Sequence, residues 1–174
     1  MMSSMPQDIQ IIGCRGKIES AEKFIEDARN HISTFYSDEE VLLQFLDADK
    51  ILGQEHIHSA IEHAQRAFER NKNISSTVAM EILIYAAGEP QISNALAKIG
   101  LKDGCERIAM VADAKLDMEG LLIHLNLKRD DEILEYKDFK LREFGISKKE
   151  ISTVGKEKLK DLVLERVAMV DVRK

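Results

Sequence analysis

His56, His58 and His63 lie close together in the segment EHIHSAIEHAQRAFERNKNIS, which holds most of the chain's 5 histidines. Imidazole binds transition metals and moves protons near neutral pH, so such a cluster raises metal chemistry and acid–base catalysis first. Helical phase argues against the metal. At 100° per residue, His56 and His63 share a face with Ala60, while His58 points roughly 160° away from it. A helical zinc pair instead uses positions four apart, as in H-E-x-x-H, with further ligands supplied elsewhere. His31 and His124 fall on unrelated segments, and Cys14 and Cys105 form no C-x-x-C pattern, so no metal site and no cofactor are expected. Acid–base catalysis needs a nucleophile or a substrate carboxylate within reach. The chain carries no G-x-S-x-G, no Cys–His signature and no phosphate-binding glycine loop. A small acid–base or metal-dependent enzyme working from the His56/His63 helix is the alternative reading. Half-buried, hydrogen-bonding histidines are the plainer one.

Other chemistry-bearing patterns are weaker. Asp47 and Asp49 stand two apart at a strand end, where paired carboxylates could hold Mg²⁺, but capping or pairing with Lys50 explains them as well. Gly13-Cys14-Arg15-Gly16 matches the GxxG of RNA-clamping KH loops, yet it follows a strand instead of joining two helices, and reads as a strand-end turn. Arg66 and Arg70, one helical turn apart with His63 and Lys72 near the same end, form a local cationic strip beside a ring. Such a strip suits a few nucleotides, each stacked base contributing about 1–3 kcal/mol. Glu62 and Glu69 interleave with it, so intrahelical ion pairing on a solvated face competes equally.

The elements that must position these residues follow from periodicity. IQIIGCR, residues 9–15, reads as a strand, and IESAEKFIEDARNHI as an amphipathic helix. VLLQFLDAD is apolar on both parities, which predicts a central strand covered on both faces. Helices follow between about Glu55 and Gly100. The first is entered at Gly53 and broken at Asn71–Asn73. The second is capped by Ser75 or Ser76 and ended by Gly88 and Pro90, and the third is stopped by Gly100. CERIAMVAD is a third strand, Met118–Leu127 a helix, RDDE a surface turn, and YKDFKLREFGI a short helix ended by Gly145. From Lys156, Leu159, Leu162, Val163, Val167 and Val170 mark a C-terminal amphipathic helix. No internal repeat or low-complexity stretch interrupts the chain. The expectation is α+β: one domain over 1–174, with a small mixed or antiparallel sheet flanked by several helices and residues 1–7 flexible.

Composition narrows function further. A chain of 174 residues with 44% hydrophobic and 32% charged content suits one soluble domain. No apolar run reaches the ~20 residues of a membrane span, and the N-terminus lacks a secretory pattern. Isolated cysteines suit core packing in a reducing, cytoplasmic compartment. The net charge of −6 disfavours extensive duplex binding, whose affinity scales with neutralised phosphates. A small contact to a single-stranded end stays open.

The segments LQFLDADKILGQEHIHSAIEHAQRAFERNKNI and EILIYAAGEPQISNALAKIGL, with LKDGCERIAMV, the EFGI turn and LERVAMV, together resemble a known family. It is the small kinase-binding subunit of the archaeal and eukaryotic KEOPS complex, the PRPK-binding protein (TPRKB) family, and the resemblance spans most of the chain. One departure is Pro90, where a basic residue is expected before Gln91. The resemblance implies a non-catalytic subunit of the machinery that makes threonylcarbamoyladenosine beside the tRNA anticodon. It implies binding and stimulation of the PRPK-type kinase/ATPase, help in holding tRNA by its single-stranded 3′ CCA end, and indirect contact with the other KEOPS subunits. It maps the tRNA-end site onto Lys50, His56, His63, Arg66, Arg70, Asn73 and Gln91. The kinase contact is expected on the C-terminal helix through Leu159, Leu162, Val163 and Val167, a stripe that would equally serve docking on the protein's own sheet.

Overall fold

The computed structural model describes residues 5–37 and 39–174. Of the terminus expected to be flexible, residues 1–4 lie outside the described residues, while Met5 packs against one of the two cores.

Four strands form one antiparallel sheet in the order β2-β3-β1-β4: β1 (Ile9–Arg15), β2 (Leu43–Asp47), β3 (Arg107–Asp113) and the short β4 (Lys128–Arg129). The α+β expectation holds, with the sheet antiparallel. β2 is a correction: it lies at the edge, because β3 arrives later in the chain and inserts between β1 and β2. Its double-sided hydrophobicity has another cause. Leu42 and Leu46 feed the core on one face and Phe45 the core on the other, so cover comes from helix layers above and below, while the outer edge stays open. β4 falls in the segment read as a turn, too short and charged to give a periodic signal.

One face carries α2 (Gln54–Glu69), α3 (Val78–Ala87), α4 (Ile92–Ile99), α6 (Asp138–Phe144) and α8 (Leu159–Arg173); the other carries α1 (Ala21–Phe35) and α5 (Met118–His124). The short α7 (Lys148–Thr153) starts with a capping box between Ser147 and Glu150, a signal present in the sequence. α3 is capped by Thr77, not by Ser75 or Ser76. The Ser75 amide instead donates to buried Glu81, which also receives the Ile74 amide. α3 ends at Gly88, left-handed at φ 65, where an added Cβ would lie 3.0 Å from the Arg166 Cβ. Backbone freedom and close helix approach both require glycine there.

α2 positions the candidate site. Its apolar stripe of Ile57, Ala60, Ala64 and Ala67 is buried, and its small residues let α3 and α8 approach closely. Its end is a Schellman motif: Lys72 N–H bonds Ala67 O at 2.8 Å, Asn71 N–H bonds Phe68 O at 3.1 Å, and Asn71 is left-handed at φ 54. Arg66 and Arg70 thereby sit in the last turn, where cations complement the helix dipole.

Candidate functional site

His63 is half-buried on α2, and its Nδ1 lies 2.6 Å from Asp171 Oδ2 on α8. Asp171 binds three side chains at once. Tyr85 on α3 donates its hydroxyl to Oδ1 at 2.6 Å, and the Lys174 ammonium lies 3.0 Å from Oδ1. Lys174 also donates to the Tyr85 oxygen at 2.6 Å and stands over its ring. The His63 ring stacks on Tyr85 with centroids 5.4 Å apart. Burial opposes charge on Asp171, but hydrogen bonds from Tyr85, Lys174 and His63 outweigh it and hold the carboxyl at about 2. Burial first, then the hydrogen bond to Asp171, pushes the Tyr85 hydroxyl above its ordinary value.

This clasp ties α2, α3 and the end of α8 together and orients the imidazole. The Tyr85 phenol donates to a carboxylate held at about 2, a base too weak to take its proton, so the hydroxyl stays protonated. Sequence reasoning missed Tyr85, Asp171 and Lys174. One signal was present: a tyrosine in the otherwise apolar helix VAMEILIYAA needs a partner for its hydroxyl.

The residues expected to hold a tRNA end fall in four places, His56 being taken last. His63, Arg66, Arg70 and Asn73 gather at the C-terminal end of α2. Arg66 is partly exposed and 3.9 Å from Glu62, Arg70 is exposed with no ion-pair partner among the described residues, and Asn73 donates to Ser75 O at 2.9 Å. Lys50 stands before the start of α2, paired with Asp47 at 3.4 Å. The 16 residues of α2 separate it from Arg70 by about 24 Å. Gln91 caps α4 just past the end of α3. Because α3 runs back along α2, with Ala86 O meeting His56, Gln91 also sits away from the arginines.

His56 is corrected outright. It is 1% exposed and both ring nitrogens are engaged. Nδ1 accepts from Leu52 N–H at 3.2 Å, so the ring is the Nε2–H tautomer, which donates to Ala86 O at 2.8 Å. No edge or face is left for a nucleotide. Burial leads in holding its pKa down at about 4. The shared helical face of His56 and His63 is real, but at His56 that face is covered by α3 and the Phe144 ring.

The C-terminal stripe needs correction too. Leu159, Val163 and Val167 are 8%, 1% and 0% exposed within the core, and Leu162 is half-buried against it. Leu159, Val163 and Val167 thus dock α8 on its own protein, and of the four only Leu162 keeps part of its surface open. Asp47 and Asp49 serve locally: Asp47 caps a 3₁₀ turn, and Asp49 pairs with Arg107 at 2.6 Å. Among the described residues, no group of three or more His, Cys, Asp or Glu side chains could hold a metal, and no helix is long and apolar enough to cross a membrane.

At the end of α2, Arg70 is exposed and Arg66 partly so, beside the half-buried, Asp171-bound imidazole of His63. A family model described as kinase binding protein CGI-121 matches residues 18–171. The regulatory protein Cgi121 of Methanocaldococcus jannaschii is 28% identical over 140 residues, covering 75% of this chain and 84% of that protein.

Proposed function

The chain belongs to the kinase binding protein CGI-121 family, and from that premise we propose that it is a non-catalytic, cytoplasmic accessory subunit of the KEOPS tRNA threonylcarbamoyladenosine machinery. In this role it binds and stimulates the PRPK-type kinase/ATPase and helps hold tRNA by its 3′ CCA end. The observation that carries the reading is the family match along nearly the whole chain.

Within this reading the tRNA-end contact narrows to His63, Arg66 and Arg70, with Asn73 beside them. Arginine pairs bidentately with phosphate, and an imidazole oriented by Asp171 stacks on a base. Lys50 and Gln91 lie too far away to share a short single strand's first contact, and His56 is enclosed.

Two measurements test the proposal. The purified chain is expected to co-elute with the KEOPS kinase and raise its ATPase rate; no complex and no stimulation would refute the kinase role. Gel shift is expected to retard intact tRNA more than tRNA lacking its 3′ end, and the Arg66→Glu/Arg70→Glu variant is expected to lose the difference. Equal retardation of both tRNAs, or a folded double variant that binds like wild type, would leave a kinase-binding scaffold without a tRNA-end site.

A further inference from the structure

The edge position of β2 leaves main-chain chemistry unused. The bond from Asp113 N–H to Leu42 O, 2.9 Å long, fixes the ladder's parity. Leu42, Gln44 and Leu46 turn their main-chain groups to β3, and Leu43, Phe45 and Asp47 turn theirs outward. No strand takes these outward groups among the described residues. The Phe45 carbonyl accepts instead from the amide of its neighbour's side chain, Gln44 Nε2, at 2.9 Å. Natural edge strands are usually blunted by lysine, proline or a bulge. LQFLD has neither lysine nor proline, and its register with β3 runs without a break.

This edge is the floor of an open groove of about 400 Å³ between the two helix layers. Ile25 and Ile32 of α1 form one wall; Met80 of α3 and Leu96 of α4 form the other. Ile25 and Leu96 are 37% and 41% exposed, large apolar side chains at the rim. α4 is otherwise buried through Ala95 and Ile99, so Leu96 belongs to a second apolar face directed away from the core.

We propose that this groove takes an extended, apolar segment of the kinase partner, which adds as a fifth strand beside β2; the proposal rests on the kinase-binding reading above. The occupant follows from the chemistry of the floor. Outward donors and acceptors two residues apart match an extended backbone and not a helix, whose own groups are internally satisfied. The apolar walls require apolar side chains on that segment. A second copy of this chain is a poor fit, because its β2 is equally recessed between α1 and α3 and two recessed edges cannot meet. A slender single segment can enter. Gln44 then acts as a placeholder, its amide keeping the Phe45 carbonyl bonded until an incoming N–H replaces it.

Hydrogen exchange on the full chain, alone and in complex with the KEOPS kinase, tests the assignment. The outward amides of Leu43 and Phe45 are expected to exchange at least tenfold more slowly in the complex. The rim variant Ile25→Glu/Leu96→Glu, both positions being partly exposed, is expected to keep its circular dichroism spectrum and lose kinase affinity by roughly tenfold or more. Gln44→Ala is expected to bind at least as tightly as wild type. A complex that forms with exchange of residues 43–47 unchanged, or a folded rim variant of wild-type affinity, overturns the groove and leaves kinase binding standing. Failure of the wild type to form any complex overturns both. A concentration-dependent dimer that the rim variant abolishes replaces the kinase segment with a second copy.

Discussion

His56 stays neutral because its two hydrogen bonds have opposite sense. Nδ1 must accept from Leu52 N–H while Nε2–H donates to Ala86 O. A proton on Nδ1 would set two donors against each other in a fully buried site. Burial holds the native pKa at about 4, against about 6.5 in the unfolded chain. As pH falls below 6.5 the unfolded chain takes up a proton that the native ring refuses, so stability is lost between 6.5 and 4 and is then flat in this group. The gap corresponds to about 3 kcal/mol. Urea unfolding of the wild type at pH 7 and pH 4.5 is expected to show most of this loss, and His56→Asn, though less stable, a much shallower one. An equally steep loss in the variant would place the effect elsewhere. At Asp171 the sense is reversed and the window lower. Its native pKa of about 2 lies below the ordinary value of 3.8, so the clasp's contribution is present above about 3.8 and disappears as pH falls through 2. The sequence placed His56 and His63 correctly on one helical face. It could not show that the face changes from core to surface between them, because that depends on how far α3 and α8 extend over α2.

Elements repeat the same ambiguity between an apolar stripe and what covers it. The period of α8 was legible, with Leu159, Val163, Val167 and Val170 all on one side, and the structure buries that side in the protein's own core. Periodicity reports that a face is covered, never by which chain. β2 fails in a parallel way: apolar residues on both parities required two covered faces and were read as a central strand, but the pairing order is set by β3, far along the chain. β1 to β3, α2 to α4 and the glycine-ended helices were legible because each carries its own period and stop signal, whereas β4 and the α3 cap were not. α8 gives a clean contrast of substitutions. Val167→Asp puts an unpaired carboxylate where the wild type is fully enclosed and is expected to cost at least about 3 kcal/mol in urea unfolding. Val172→Asp, at a position 75% exposed, is expected to change stability by less than about 0.5 kcal/mol. Comparable losses at both positions would mean that the outer face of α8 is covered in solution.

For the molecule as a whole, the decisive quantity is the contrast between a net charge of −6 and the paired arginines at the end of α2. An acidic body repels the tRNA backbone at long range, so binding must come from a few close contacts. It should therefore show a shallow salt dependence: for single strands the slope of log K against log salt is about −0.7 per neutralised phosphate. Arg66 and Arg70 are one turn apart and reach at most two neighbouring phosphates. Arg66→Gln/Arg70→Gln is thus expected to reduce the slope by about 1.4, while tRNA lacking its 3′ end gives the same slope with and without the substitutions. Charge neutralisation of Lys50, about 24 Å from Arg70 along α2 and held by Asp47, is expected to leave the slope unchanged. Filter binding across 50–300 mM salt reads all of these. A slope carried by Lys50 and unaffected by the arginines would move the site to the opposite end of α2, beside Lys102.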